Sequence, residues 1–140
     1  MSLVPSLISA AVPGSRLRIE SHDMAVSLRD ARNRAIATGE TIDFTIDFDP
    51  PQYNVDKKKP HELPNGITIG ATKDLQLQSF YSSGQLGRNP DGKFRTRFYP
   101  DGSSSGAVIT LRRASLAYTV TVDWLLGSVS MASGEPKGEN

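Results

Sequence analysis

The sequence predicts an α+β fold, a long N-terminal amphipathic helix packed on antiparallel β-sheets, and three observations carry that prediction. Apolar residues between Arg16 and Ala37 recur at helical spacing, and after Gly39 the period switches from 3.6 to 2. Short β-rich runs separated by turn residues then continue to about Met131, the order expected of an α+β meander. Composition sets the scale. The 140 residues are 37% apolar and 22% charged, below the roughly 45–50% apolar share of an average globular chain, so a modest core with long loops is expected.

Within the helix, Leu17, Met24, Leu28, Ala31 and Ala35 fall in one narrow arc at 100° per residue, the spacing of a buried face. Arg18, Glu20, Asp23, Arg29, Asp30, Arg32 and Arg34 surround it and read as a solvated surface. Gly39 is placed to stop the helix, because a left-handed cap carries no Cβ penalty in glycine. Ile19, Val26 and Ala37 form a thinner apolar line on nearly the opposite side, to be covered either by a loop or by a partner helix.

Ile42, Phe44, Ile46 and Phe48 alternate with Asp43, Thr45, Asp47 and Asp49, which marks a strand with one face on a core, ended by Pro50-Pro51. Further strands are expected at 68–71, 75–78, 94–99, 107–113, 118–124 and 128–131, with a hairpin turn at Arg113-Ala114-Ser115-Leu116. Tyr118, Val120, Val122 and Trp124 share one strand face. Residues 49–65, with four prolines and Lys57-Lys58-Lys59, and residues 82–92 read as long loops, functional or disordered. Residues 133–140 read as a flexible tail.

Chemical motifs are few. The absence of cysteine excludes disulfides, thiolate metal sites and cysteine nucleophiles. Gly102-Ser103-Ser104-Ser105-Gly106 spells a nucleophile elbow, but a strand pattern follows it where an elbow needs a helix. Both histidines, His22 and His61, also precede the serines, whereas the hydrolase order places the histidine after. A Gly/Ser connection between strands is the better reading. His22-Asp23 and His61-Glu62 lack the spacing of a zinc site, and Asp43, Asp47 and Asp49 lack a calcium loop around them. No catalytic, metal or cofactor residue is assigned. Sixteen Lys/Arg nearly balance 15 Asp/Glu, but residues 40–62 hold six acids against three lysines. Residues 86–113 hold six bases, Arg88, Lys93, Arg95, Arg97, Arg112 and Arg113, against Asp91 and Asp101. These bases are the ordinary polar side of amphipathic strands or, alternatively, an anion or DNA patch.

Phe98-Tyr99-Pro100-Asp101-Gly102 through Gly106, followed by Asp123, Trp124 and Gly127 in the run Tyr118 to Gly127, resembles the C-terminal signature of the GspH/FimT family. The similarity is greatest to the H-type minor pseudopilins of type II secretion systems. The helix end Ala31 to Gly39, entering an alternating strand, resembles that family's helix-to-sheet junction, and Val4-Pro5-Ser6-Leu7 resembles the end of its hydrophobic N-terminal helix.

The resemblance implies a non-enzymatic, cofactor-free subunit of a secretion pseudopilus. Its periplasmic head would sit on an inner-membrane helix, with major and minor pseudopilins as partners and secreted proteins as passengers. The near alternative it implies is a FimT-type minor pilin of type IV pili that binds DNA through the basic residues. The family's peptidase site and N-methylated start have no counterpart here.

Residues 1–14 are expected to be the remnant of the hydrophobic helix, Met1-Ser2-Leu3 standing where the anchor was, and to be partly unwound by Pro5 and Pro13-Gly14. The head would span 15–132, with its helix at about 16–38 and its β-rich part at about 41–131. No run approaches the ~20 apolar residues of a membrane-spanning helix.

Overall fold

The computed structural model describes residues 13–73 and 91–136. Among these, helix α1 (Pro13–Thr38) leads into two four-stranded antiparallel sheets. The first has the order β3 (His61–Glu62), β2 (Pro51–Val55), β1 (Ile42–Phe48), β5 (Phe94–Phe98). The second has the order β4 (Thr68–Thr72), β6 (Ala107–Arg113), β7 (Leu116–Val122), β8 (Val129–Ser133). The helix lies against both, touching β6, β7 and β8 of one and β1 of the other, so a single apolar cluster joins all three elements.

All five residues of the helical stripe are fully buried. The buried face is wider than the stripe, because Glu20, Ser21 and Ala25 are buried beside it, and together they span roughly 140° of the helix. Ser21 satisfies its hydroxyl on the Leu17 carbonyl at 2.8 Å. Gly39 stops the helix as expected, with φ at +71° and its N–H donated to the Ala35 carbonyl at 2.9 Å. Pro13 and Gly14 are helical rather than unwound, and Leu116 packs beside Gly14.

In β1 the alternation holds: Ile42, Phe44 and Ile46 point into the core, and Asp43, Thr45 and Asp47 point away. Phe94, Thr96 and Phe98 of β5 face the same core. On the outer face Asp43 stands directly opposite Arg97, and the two form a bidentate pair at 2.7 and 3.2 Å, a cross-strand contact that helps fix the register.

Three expectations are corrected. Pro50-Pro51 does not start a long loop: the chain turns there, through a cis peptide between Asp49 and Pro50, and Pro51 becomes the first residue of β2. Proline is tolerated at the first position of a strand, and Tyr53 then supplies the inward anchor. Trp124 does not share the inward face of Val120 and Val122, because β7 ends at Val122. The tail is pinned at its start, where β8 runs to Ser133, Gly134 donates to the Ala117 carbonyl at 2.7 Å and Glu135 pairs with Arg112. The strand expected at 75–78 and most of the loop expected at 82–92 lie outside the described residues.

Tyr53 stacks on Phe44 with ring centroids 5.2 Å apart. Burial pushes its phenol up to about 12, against a smaller opposing effect from the Ser27 hydrogen bond. The unfolded chain therefore loses this proton near pH 10 and the folded chain only near pH 12. Tyr53's contribution to stability is complete below pH 10 and falls away as the pH rises through that window. Replacing Tyr53 with Phe is expected to flatten the decline of the urea midpoint between pH 10 and 12. An unchanged slope would remove Tyr53 as its cause.

Candidate functional site

The residues of the C-terminal signature come together at the end of the head beside the last turns of α1. Tyr99-Pro100-Asp101-Gly102 makes a turn closed by Gly102 N–H on the Tyr99 carbonyl at 2.9 Å, with proline and glycine at the positions a type I turn favours. Asp101 accepts from the Ser103 N–H at 2.9 Å and its hydroxyl at 2.6 Å, and these bonds hold its carboxyl below the usual carboxylate range.

The Gly/Ser run stitches the two sheets together. Ser105 donates its N–H to the Arg97 carbonyl and accepts the Arg97 N–H on its hydroxyl, both at 2.9 Å. Ser104 donates its N–H to the Trp124 carbonyl at 2.9 Å and its hydroxyl to the Asp123 carbonyl at 3.3 Å. That same hydroxyl receives the Gly106 N–H at 2.9 Å. The serine hydroxyls are thus committed to backbone, to Asp101 or, for Ser105, also to the Thr96 hydroxyl at 3.3 Å, the connection expected in place of a nucleophile elbow.

Asp123 caps the next turn, taking the Leu126 N–H on its carboxylate at 2.6 Å and the Gly127 N–H on its carbonyl at 2.8 Å. Gly127 has φ at +71°, and a Cβ there would overlap the Gly102 carbonyl. Arg32 of α1 closes the assembly by donating Nε to the carbonyls of Gly102 at 3.1 Å and Leu126 at 3.2 Å. This clamp was missed in the sequence, where Arg32 reads as part of a solvated face. Its only local sign is a position next to Ala31, at the rim of the buried stripe.

The scaffold displays apolar side chains to solvent. Trp124, Leu125 and Leu126 are 58, 60 and 63% exposed, Tyr99 is 38% exposed, and Ile36 of α1 lies exposed beside Gly102. Three consecutive large apolar residues directly after an alternating strand were the sequence signal for this tip. Farther along the helix, Ile19 is 52% exposed, and Val26 and Ala37 are also exposed, so no described loop covers the second apolar line.

The chain also matches known proteins. The family model described as type II transport protein GspH matches residues 20–126, which includes most of α1, strands β1 to β7 and the exposed tip residues Tyr99, Trp124, Leu125 and Leu126. The chain belongs to the GspH family.

Among curated GspH relatives, type II secretion system protein H of Xanthomonas campestris pv. campestris is 28% identical over 127 residues, 91% of this chain and 69% of that protein. The fold is similar to that of the minor pseudopilin EpsH from the type 2 secretion system of Vibrio cholerae. That similarity has a TM-score of 0.63 at 13% identity and covers 84% of this chain and 97% of the other. The type IV minor pilin FimU of Pseudomonas aeruginosa shares the fold at a TM-score of 0.61 and 8% identity, over 86% of this chain and 91% of that one. GspH-type chains are structural subunits, and this head has their architecture, an N-terminal helix on two antiparallel sheets.

Among the described residues, the basic positions are divided between the two sheets. Arg95 and Arg97 lie on β5 of the first sheet, and Arg112 and Arg113 on β6 of the second. Arg95 is paired with Asp91 at 2.8 Å, Arg97 with Asp43, and Arg112 in a bidentate pair with Glu135. Each pairing lowers the carboxyl of Asp91 or Glu135, or raises the guanidinium of Arg97 or Arg112, through the hydrogen bond between them. Lys93 is half-buried, and Arg88 lies outside the described residues.

Proposed function

We propose that this GspH-family head works as a minor pseudopilin of a type II secretion pseudopilus and meets neighbouring pseudopilins through two apolar surfaces. These are the helix line of Ile19, Val26 and Ala37 and the tip of Tyr99, Trp124, Leu125 and Leu126. The observation that carries the reading is that the tip and, apart from Ile19, the helix line are exposed within the residues the family model matches. Apolar side chains held out by a rigid scaffold gain from burial against a partner, at roughly 25 cal/mol for each Å² removed from water.

On this reading the head faces the periplasm and α1 continues into the hydrophobic helix that anchors pseudopilins in the inner membrane before assembly. Among the described residues no helix is long and apolar enough to cross a membrane. Secreted proteins are the passengers of the assembled filament. The pairing of Arg95, Arg97 and Arg112 with acids of the same chain removes most of the charge that a DNA-binding minor pilin would use.

The test is Val26→Asp, alone and with Ile19→Asp, in the full-length protein. Both positions are exposed, so the unfolding free energy of the head, measured by urea denaturation, is expected to change by no more than about 0.5 kcal/mol. Secretion of type II substrates by cells carrying the variant as their sole copy is expected to fall severalfold. Wild-type secretion with the double variant would dismiss the helix line as an assembly surface.

A further inference from the structure

A second site lies on the opposite flank, between α1 and the β2–β3 hairpin. There a cavity of about 160 Å³ is lined by Asp30 and Arg34 from the helix, Asn54 from β2, Lys58 and Lys59 from the turn, and His61 from β3. Three permanent cations face one carboxylate. None of Arg34, Lys58, Lys59 or Asp30 forms a salt bridge among the described residues, in contrast to Arg95, Arg97 and Arg112. His61 is held by Glu20, Nε2 to Oε1 at 2.9 Å, with the Glu20 side chain only 10% exposed. That contact fixes one wall of the cavity to the helix.

Arg34 gives the site its direction. Its Nη1 is buried and has no hydrogen-bond acceptor among the described residues. A buried donor left unpaired costs about 1–3 kcal/mol, more when it is charged, and native structures retain few of them. The flanking lysines raise the local positive potential, so an acceptor arriving from outside would be favoured if it carried negative charge. The volume limits what can enter. It exceeds the ~30 Å³ share of one water but falls below the roughly 300–1,000 Å³ of sites for drug-sized ligands and cofactors.

We propose that this cavity is a binding site for one oxyanion, the size of a carboxylate or phosphate group, held by the Arg34 guanidinium and the Lys58 and Lys59 ammonium groups. Asn54 can add an amide contact, and Asp30 disfavours a second negative group. The source is either an acidic side chain of another polypeptide or free phosphate. The assignment rests on the side chains of the cavity and is independent of the two apolar surfaces proposed for assembly.

The experiment titrates the isotopically labelled chain with inorganic phosphate and, separately, with the capped peptide acetyl-Ala-Glu-Ala-amide, each against sodium chloride at matched ionic strength. The expected result is a saturable shift of the Arg34 side-chain and His61 resonances, with half-saturation on the order of 1 mM for at least one probe. Saturation by phosphate alone assigns free phosphate, and saturation by the peptide assigns an acidic side chain; either supports the site. The His61 shift is expected to vanish in Arg34→Gln. It is expected to weaken at least tenfold in Lys58→Gln/Lys59→Gln, whose exposed positions leave the fold untouched. Failure of both probes to saturate, or equal saturation in the double lysine variant, overturns the proposal. Neither outcome bears on secretion by the Val26→Asp variant.

Discussion

Replacing Gly127 with Ala is expected to cost the head about 3 kcal/mol or more, out of proportion to the one methyl group added. Two effects combine. The residue has φ at +71°, where an L side chain is strained by about 1–2 kcal/mol. The new Cβ would also overlap the Gly102 carbonyl and lie 2.8 Å from Arg32 Nε. Relief requires the Gly102 turn to move away from the 123–127 turn, and that movement breaks the two hydrogen bonds through which Arg32 holds both turns on the helix. Gly39→Ala is the control, since it has the same φ of +71° but nothing within 4 Å of its Cβ. It is expected to lose only the strain. Urea denaturation of both variants separates the contributions, and equal losses would show that the approach of Gly127 to Gly102 carries no energy of its own.

That clamp marks the limit of what the sequence made legible. Leu17, Met24, Leu28, Ala31 and Ala35 announce their burial because a helix repeats its environment every three to four residues, and Ile42, Phe44 and Ile46 do so because a strand repeats every two. Arg32 has no such local sign. The carbonyls it serves belong to residues 102 and 126, and no periodicity connects a helix residue to turns that far downstream. Glu20 fails for the same reason. Its carboxylate is buried because His61 reaches it, and His61 lies in a stretch whose prolines and lysines read as loop. A buried charge needs a partner, but the sequence does not say where the partner will be.

The candidate surfaces divide along the same line. Ile19, Val26 and Ala37 were legible, since a second apolar line on a helix is a periodic signal. The signature residues were visible as a motif, but their arrangement was not. Trp124 has the parity of Val120 and Val122 and would be buried if the strand continued. Asp123 ends it by turning its carboxylate onto the Leu126 N–H, and beyond that point parity no longer predicts which way a side chain faces. The basic cluster was legible only as a count. Division of its members between two sheets, with acids of the chain beside three of them, depends on the topology.

Phe98 and Tyr99, adjacent aromatic residues of the signature, are expected to respond to truncation in opposite ways. Phe98 has the inward parity of Phe94 and Thr96 on β5 and is fully buried, while its backbone bridges to Ser104. Phe98→Ala leaves a ring-sized cavity at the junction of sheet, turn and helix, and is expected to cost about 3–5 kcal/mol, enough to unfold much of the population at 37 °C. Tyr99 contributes to the fold mainly through its backbone, donating its N–H to the Ser103 carbonyl and accepting the Gly102 N–H, and alanine keeps both bonds. Its 38% exposed ring belongs to the apolar tip with Trp124, Leu125 and Leu126. Tyr99→Ala, and Leu125→Ser/Leu126→Ser beside it, are therefore expected to hold the unfolding free energy within about 1 kcal/mol of the parent while secretion falls. A stable Phe98→Ala would contradict the placement of that ring in the core. Full secretion from the combined tip variant would leave the helix line as the sole apolar surface for assembly.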